Sequence, residues 1–355
     1  MSVAIAAAGT GGHVLPALAI AAALERRGTD RRQIVFLGGD RFESEAVPAA
    51  GYRFHSFELT RLRRSASLEN LRIPAVVHRG AVAMEQVLRD CEARVVLGMC
   101  GYVTVTAAVA ARRAGVPFVV HEQNAHPSLA ARFASRRARL TLLGLPGPAQ
   151  RLPRSLVVGN PLRQEIASFD REGLRVAARA RYGLSEDGFV VGLLGGSQGA
   201  FVLNRIAPAI AALDGAHLLH LTGPQAAGVD SAAGRPSLPW ERLPFEDRMD
   251  LFYAAVDLVV CRAGAMTVSE LAATGTPAVL VPLDRVGQGA NAAFLEAAGA
   301  ALVVRQGALG DLPGVVASLA SDPSRLAAMA TAASSVAAPG AADAVADHLL
   351  EVAIA

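Results

Sequence analysis

The sequence predicts an α/β protein built from two Rossmann-like domains that face one cleft. Its 355 residues exceed what one hydrophobic core usually organises and suit two domains. Short apolar runs alternate with helical patterns along the chain, which is typical of parallel sheets with crossover helices. Two glycine-rich turns, about one domain apart, each join an apolar strand to an apolar helix.

The two turns predict ligand sites. The first, residues 9–13, follows the apolar run 3–8, and the second, residues 195–200, follows the run 190–194. Glycines let backbone N–H groups approach a ligand closely, and the positive end of the following helix dipole attracts negative charge. The first turn lacks the third glycine of the dinucleotide fingerprint, which weakens an NAD-dependent interpretation.

Further strands and one domain boundary follow from the same pattern. The other predicted strands are 33–37, 95–97, 117–120, 155–158, 217–221, 258–261 and 278–281. Pro161 restricts Asn160 to an extended conformation, so we place a boundary after residue 159. The predicted domains are therefore 1–159 and 160–339, and a last helix follows over 341–352.

The basic charge is carried by arginine alone and is concentrated in the first half. All 34 basic residues are arginine, so lysine Schiff-base chemistry is excluded. Residues 1–159 contain 21 arginines against 11 acidic residues, a net charge of +10, whereas residues 160–355 contain 13 against 20, a net charge of −7. This asymmetry predicts either an anionic partner for the first half, lipid or nucleic acid, or a solvated basic surface.

Cysteine usage and hydropathy indicate the compartment. Cys91, Cys100 and Cys261 show no CxxC spacing, which predicts neither a disulfide framework nor a zinc site and fits a reducing cytoplasm. The sequence shows no signal-peptide pattern and no uninterrupted apolar run of roughly 18 residues. We therefore expect any membrane contact to be peripheral.

His13 is the residue of the first turn with acid–base chemistry. It lies at the start of a predicted helix, where the positive dipole favours a neutral imidazole that can accept a proton. Its position fits a general base and a structural histidine equally well.

Two further groups have polar side chains suited to a nucleotide sugar. Ala265 and Met266 would begin a helix after an apolar strand, and Glu270, one turn on, can accept from both hydroxyls of a ribose or interact with the helix dipole. Gln288 and Asn291 would lie on the same face of a helix, where their side-chain amides are suited to hydrogen-bond with sugar hydroxyls.

Taken together, these segments resemble the MurG family of bacterial peptidoglycan glycosyltransferases. The matching stretches are GTGGHVLPALAIA at 9–21, HEQNAHPSLAARFAS at 121–135, VVGNPLRQEI at 157–166, LLGGSQGAFVLN at 193–204, LTG at 221–223 and DLVVCRAGAMTVSELAATGTPAVLVPL at 257–283. The resemblance implies a GT-B enzyme that transfers GlcNAc from UDP-GlcNAc to lipid I with inversion, without a metal or other cofactor. It also implies a role in cell wall biogenesis at the cytoplasmic face of the membrane.

The resemblance assigns His13 as the base for the acceptor hydroxyl. It implies donor and acceptor contacts at Thr10, Gly11, Gly12, Asn124, Arg163, Ser197, Gln198, Ala265, Met266, Thr267, Glu270, Gln288 and Asn291. Residues 10–12 and Asn124 would face the GlcNAc and the acceptor, whereas Arg163 and Ser197 would hold the uridine diphosphate. Glu270 would bind the ribose, Gln288 and Asn291 would read the sugar, and the last helix, within 340–355, would pack back on the first domain.

The chemistry of the departing UDP and the expected partners agree with this resemblance. No D-x-D motif ends a strand, so Arg163 and a helix dipole would stabilise the leaving diphosphate. The expected partners are UDP-GlcNAc, lipid I and an anionic membrane, and no nucleic acid. The membrane-facing residues would be the arginines and aliphatic residues Arg61, Leu62, Arg63, Arg64, Leu68, Leu71, Arg72, Ile73 and Arg79.

Several departures from the family pattern leave alternatives open. Residues 100–106, CGYVTVT, stand where the family has a glycine-rich GGYVSGP turn, and Glu246 replaces an apolar residue that borders the uracil. One alternative is a related transferase for another acceptor, a secondary metabolite or a different lipid. A second is a catalytically silent nucleotide-sugar binder, and a third is a GT-B-fold UDP-GlcNAc epimerase.

Overall fold

The computed structural model describes residues 1–59, 73–196, 199–224, 240–283 and 287–355. The chain forms two compact units. Unit 1 comprises residues 1–163 and 340–355, and unit 2 comprises residues 164–339.

Unit 1 contains a parallel sheet with helices between its strands. Within the described residues its strands are β1 (Ser2–Ala6), β2 (Ile34–Gly38), β3 (Arg53–Ser56), β4 (Ala93–Gly98), β5 (Phe118–Glu122), β6 (Leu140–Leu143) and β7 (Ser155–Val157). Its helices are α1 (Gly11–Arg26), α2 (Phe42–Ala49), α3 (Ile73–Asp90), α4 (Tyr102–Ala114), α5 (Leu129–Ala134) and α14 (Ala341–Ile354). Short 3₁₀ turns lie at Arg31–Gln33 and Pro148–Arg151. Strands β1, β2 and β5 are buried along their whole length, because both sheet faces are covered by helices.

Unit 2 repeats this architecture. Within the described residues its strands are β8 (Phe189–Leu194), β9 (Ala216–Leu221), β10 (Trp240–Leu243), β11 (Leu258–Cys261), β12 (Ala278–Leu280) and β13 (Ala301–Val303). Its helices are α6 (Gln164–Ala167), α7 (Arg171–Arg181), α8 (Phe201–Ala211), α9 (Met249–Ala255), α10 (Ala265–Ala273), α11 (Gln288–Ala298), α12 (Leu312–Ala320) and α13 (Pro323–Ser335). A 3₁₀ segment covers Gln306–Asp311.

The strand order places the site of each unit. The order is β3-β2-β1-β4-β5-β6-β7 in unit 1 and β10-β9-β8-β11-β12-β13 in unit 2, and all pairs are parallel. In such doubly wound sheets, ligands bind beyond the carboxyl ends of the strands at the point where the order reverses. That point lies between β1 and β4 in unit 1 and between β8 and β11 in unit 2. Both predicted glycine-rich turns follow one of these four strands.

The last helix completes the core of unit 1. Val345 and Leu349 of α14 are fully buried in the same hydrophobic cluster as the inner face of α1. Arg27 of α1 also binds Asp343 and Asp347 of α14. Exposed ion pairs contribute little, so apolar burial holds α14 in place. Among the described residues, no helix is both long enough and apolar enough to cross a bilayer.

Candidate active site

The first glycine-rich turn connects β1 to α1 at the reversal point of unit 1. Gly9 has a φ of +111°, a conformation that favours glycine. The carbonyl of Thr10 accepts the first helical bonds, from the N–H groups of His13 at 3.0 Å and Val14 at 3.2 Å. Thr10 and Gly12 are exposed, whereas Gly11 and His13 are half-buried. The residues predicted to meet a substrate here are therefore accessible.

The turn after β4 lies against the first turn. A β-carbon built on Gly101 would lie 3.8 Å from the carbonyl oxygen of Ala8 and 3.9 Å from Nε2 of His13. Gly101 has a φ of +80°, and Cys100 has a φ of +58°. The cysteine that replaces the first glycine of the family turn thus keeps a left-handed, glycine-type backbone. This conformation costs roughly 1–2 kcal/mol for a residue with a β-carbon.

Cys100 is a buried thiol and not a nucleophile. Its side chain is 1% exposed and packs in the hydrophobic cluster on one face of the sheet. Burial, with a smaller effect of the charge on Glu122, holds the pKa of the Cys100 thiol well above its usual range. Since the thiolate is the reactive form, Cys100 supplies no covalent chemistry at this turn.

Glu122 organises the loop after β5. Its side chain is fully buried, and Oε1 accepts hydrogen bonds from the backbone N–H and the Nδ2 of Asn124, both at 3.0 Å. Its other oxygen accepts from the N–H of Ser128 at 2.9 Å, and Ser128 caps helix α5. The predicted acceptor contact Asn124 is half-buried and oriented by this carboxylate.

Buried amides connect the neighbouring loops. Gln123 donates through Nε2 to the carbonyl of Met99 at 3.1 Å, which ties the β5 loop to the β4 turn. Asn160 donates to the carbonyl of Gln123 at 3.1 Å. A β-carbon on Gly144 would lie 1.9 Å from Oδ1 of Asn160, so only glycine fits there. Thr10–His13 and Asn124 therefore lie on connected loops at one edge of the sheet.

The second glycine-rich turn connects β8 to α8 in unit 2. A β-carbon on Gly195 would lie 2.2 Å from the backbone nitrogen of Ala200. Gly199 has a φ of +72°, and a β-carbon on it would lie 2.5 Å from the carbonyl oxygen of Thr222. Both glycines are therefore required by close backbone approach. Ser197, predicted to hold the uridine diphosphate, and Gln198, a predicted substrate contact, lie outside the described residues.

The turn after β11 leads into α10 and places Glu270. Gly264 precedes α10, so no side chain caps its first turn. Glu270 is half-buried, and its Oε2 accepts a hydrogen bond from the hydroxyl of the fully buried Tyr253 at 2.9 Å. Burial, together with the charge of Glu270, raises the pKa of the Cys261 thiol. Ala265 is buried, whereas Met266 and Thr267 are half-buried on the same turn.

The sugar-reading role predicted for Asn291 does not fit its position. Asn291 is fully buried, and its Nδ2 donates to the carbonyl of Ala263 at 3.1 Å. It therefore supports the turn between β11 and α10 from inside the unit. Gln288 is half-buried, and its Oε1 accepts from the N–H of Leu283 at 3.0 Å. A sugar contact of Gln288 stays a prediction.

Glu246 is directed into the protein. Its carboxylate is 7% exposed and accepts from the hydroxyl of Tyr182 at 2.7 Å and the N–H of Arg248 at 2.9 Å. Arg181 approaches the same carboxylate at 3.3 Å. The acidic side chain that replaces an apolar residue of the family is thus satisfied by helix α7 and its own loop.

Arg163 ends the first segment of unit 1, residues 1–163, and is half-buried. Of the predicted membrane-facing residues, only Ile73 and Arg79 belong to the described part of the chain. No sequence motif indicated that Tyr253 is a partner of Glu270 or that Glu122 orients Asn124. Tyr253 stands 17 residues before Glu270, and no motif connects the two.

Both units match models of one enzyme family. Residues 3–142 match the glycosyltransferase family 28 N-terminal domain, and residues 190–345 match the glycosyltransferase family 28 C-terminal domain. The chain belongs to glycosyltransferase family 28.

Individual family 28 relatives are similar over nearly the full chain. Two relatives carry the name UDP-N-acetylglucosamine--N-acetylmuramyl-(pentapeptide) pyrophosphoryl-undecaprenol N-acetylglucosamine transferase. The one from Acidothermus cellulolyticus is 41% identical over 93% of this chain and 92% of its own length. The one from Mycolicibacterium smegmatis is 42% identical over 99% of this chain and 94% of its own length. The crystal structure of Acinetobacter baumannii MurG is 29% identical, with a TM-score of 0.78 over 99% of this chain and 100% of that chain. These similarities confirm the predicted GT-B fold class.

Two buried histidines near the turns of this family 28 chain predict a loss of stability in acid. Burial lowers the pKa of His121 and of His220 to about 4, so both are neutral in the folded protein. The unfolded chain binds a proton at each near pH 6.5, so stability is retained above that pH and lost as the pH falls toward 4. We expect each histidine to lower the unfolding free energy by about 2 kcal/mol between pH 7 and pH 5.

Urea unfolding at the two pH values measures this loss. His121→Gln and His220→Gln should each flatten the dependence on pH relative to wild type. An equal pH dependence in wild type and both variants would contradict the prediction.

Proposed function

We propose that this chain transfers GlcNAc from UDP-GlcNAc to lipid I, undecaprenyl-diphospho-MurNAc-pentapeptide, with inversion at the sugar. The observation that carries the proposal is the 42% identity, over 99% of the chain, to a relative named for a transfer of this kind. His13 in an accessible turn of unit 1 agrees with it. The acceptor is assigned to unit 1 and the nucleotide sugar to unit 2.

His13 is proposed as the general base. Its imidazole would take the proton of the attacking acceptor hydroxyl while that oxygen forms a bond to C1 of GlcNAc. The bond between C1 and the β-phosphate oxygen of UDP breaks in the same step, and attack from the opposite side inverts C1. The imidazolium then releases its proton to solvent. The absence of a side chain at Gly101 leaves room for the ring, since a β-carbon there would lie 3.9 Å from its Nε2.

Unit 2 is proposed to bind UDP and to stabilise its departure. The dipole of α10 presents partial positive charge to the diphosphate. The diphosphate contact of Arg163 stays a prediction. Glu270 is proposed to accept from the ribose hydroxyls, with Tyr253 fixing one of its oxygens. Asn124, ordered by Glu122, is proposed to face the acceptor.

The turn at residues 100–106 supports lipid I as the acceptor. Cys100 and Gly101 both have positive φ angles, as a Gly-Gly pair would allow. The sequence departure therefore keeps a glycine-type backbone at residues 100 and 101, just before α4. Backbone N–H groups of such turns can bind anions.

A release assay tests the proposed reaction. The purified protein, supplied with UDP-GlcNAc in the presence of EDTA, should release UDP only when a lipid I analogue is added. His13→Ala should lower the rate by about 100-fold or more, because general-base catalysis contributes roughly that factor. His348→Ala, a histidine of α14 that pairs with Glu351, is the control and should retain the wild-type rate.

Other outcomes of this assay would overturn the proposal. UDP-GlcNAc binding without acceptor-dependent release would indicate another acceptor or a silent binder. Release of UDP without any acceptor would favour elimination chemistry. A His13→Ala rate within about tenfold of wild type would remove the general-base assignment alone.

The Tyr253–Glu270 pair predicts the energetics of donor binding. Glu270→Ala should weaken UDP-GlcNAc binding by about tenfold or more, because a hydrogen bond to a charged group contributes about 1.5–3 kcal/mol. Tyr253→Phe should weaken it less, since only the orientation of the carboxylate is lost. Titration calorimetry measures both, with Glu296→Ala on the exposed side of α11 as the control. If Tyr253→Phe weakened binding by the same factor in the Glu270→Ala background as in wild type, the two residues would act independently. That result would contradict the proposed orientation of Glu270 by Tyr253.

A basic region of unit 1 is proposed to bind an anionic membrane. Residues 123–159 contain six arginines and no acidic residue. Arg136 and Arg139 are exposed there, and Leu129 and Leu156 expose 66% and 43% of their surfaces. Arginine next to exposed aliphatic side chains is the combination that binds anionic lipid. Such binding would place the enzyme peripherally at the membrane that holds its acceptor.

Vesicle sedimentation at low salt tests this surface. Arg136→Gln with Arg139→Gln should weaken binding to anionic vesicles roughly 30-fold, because each arginine near such a surface contributes about 1 kcal/mol. Arg305→Gln with Arg325→Gln, two exposed arginines of unit 2, is the matched control and should bind as wild type does. Equal binding of wild type to neutral and anionic vesicles would contradict the proposal.

A further inference from the structure

Glu43 is a buried carboxylate that connects two glycine-rich loops of unit 1. It lies in the first turn of α2 and is fully buried. Its Oε2 accepts a hydrogen bond from the backbone N–H of Gly9 at 2.9 Å, and its Oε1 accepts from the N–H of Gly39 at 2.9 Å. One side chain therefore holds the loop after β1 and the loop after β2 together.

Glycines make room for this carboxylate. A β-carbon on Gly38 would lie 2.8 Å from Cγ of Glu43 and 3.0 Å from the carbonyl oxygen of Ala7. A β-carbon on Gly39 would lie 3.1 Å from Oε1 of Glu43 and 3.3 Å from the hydroxyl of Tyr102. The stem of Glu43 thus passes through a gap that exists because residues 38 and 39 have no side chains.

The turn that Glu43 holds is the one that carries the proposed base. Gly9 directly precedes Thr10, whose carbonyl accepts the first helical bonds of α1, including that of His13. A glycine at a φ of +111° has no side chain to restrict its backbone, so the turn needs a restraint from elsewhere. A hydrogen bond to a carboxylate is short and strong enough to supply it.

We propose that Glu43 is a positioning residue for His13, acting through the backbone of Gly9. This inference rests on the proposed function, because it assigns the turn a catalytic purpose. The proposal requires a carboxylate at residue 43. Both of its oxygens accept hydrogen bonds from backbone N–H groups, whereas a glutamine would place its own NH₂ group against one of these donors. Its place in the first turn of α2 also lets the helix dipole stabilise the negative charge.

Glu43→Gln and Glu45→Gln form a matched pair for the test. Glu45 lies in the same first turn of α2 but is exposed, so its replacement removes the same charge from the same helix. We expect Glu43→Gln to lower kcat for transfer by at least tenfold, because small misplacements of a catalytic group cause losses of this order. The KM for UDP-GlcNAc should change less than kcat, since the nucleotide is assigned to unit 2 and only the predicted GlcNAc contacts of residues 10–12 lie on this turn. Glu45→Gln should match wild type in both. A kcat for Glu43→Gln equal to that of Glu45→Gln would overturn the proposal.

A second measurement does not depend on activity. In protein labelled with ¹⁵N-glycine, the amides of Gly9 and Gly39 should exchange with solvent as slowly as amides of the sheet. In Glu43→Gln, at least one of them should exchange faster while the other glycines keep wild-type rates. Fast exchange of both amides in wild type would overturn the proposal, and this result also decides the case if Glu43→Gln fails to fold. If wild type shows slow exchange but no transfer to lipid I, the proposed function fails while the restraint by Glu43 stands.

Discussion

The candidate site depends on hydrogen bonds from backbone N–H groups to buried carboxylates. Glu43 holds the turn after β1, and Glu122 holds the loop after β5, each with both oxygens engaged. Loops at the carboxyl edge of a parallel sheet lie beyond the strand ladder, so such contacts, together with the buried amides Gln123 and Asn160, hold their conformation. A carboxylate buried without these bonds would be strongly destabilising, which couples loop geometry to folding.

The two units differ in how carboxylates lie at this edge. In unit 1, Glu43 and Glu122 are fully buried, whereas His13 and Asn124 are half-buried. In unit 2, Glu270 stays half-buried, with one oxygen held by Tyr253. The same architecture therefore encloses two carboxylates in one unit and leaves a partly accessible one in the other.

Sequence patterns predicted nine strands, most of them central and apolar: β1, β2, β4, β5, β7, β8, β9, β11 and β12. They did not predict β3, β6, β10 and β13. The strands β3 (RFHS) and β10 (WERL) lie at sheet edges and are partly exposed, so they lack a continuous apolar run. The strand β13 has three residues, but so do the predicted strands β7 and β12, so its length alone does not explain why it was missed. Site residues close to a motif were predicted at turns, and those turns are accessible. The role of Glu43 depends instead on its hydrogen bond to Gly9, 34 residues earlier, which no local pattern encodes. Asn291 is the opposite case. Its helical spacing predicted that it shares a face with Gln288, but not that the core covers its side chain.

Cys100 shows how a family motif can change while its geometry persists. A left-handed backbone costs a residue with a β-carbon roughly 1–2 kcal/mol. Burying the thiol in an apolar cluster offsets part of this, and replacing glycine also restricts the unfolded chain by about 0.4–1 kcal/mol. The neighbouring Gly101 keeps its own positive φ, and Met99 donates to the carbonyl of Ala6 at 2.9 Å, which fixes the start of the turn. Contacts that the turn already makes thus offset part of the cost of the left-handed backbone at Cys100. A lost glycine is therefore weak grounds for inferring a changed acceptor when the backbone around it is held on both sides.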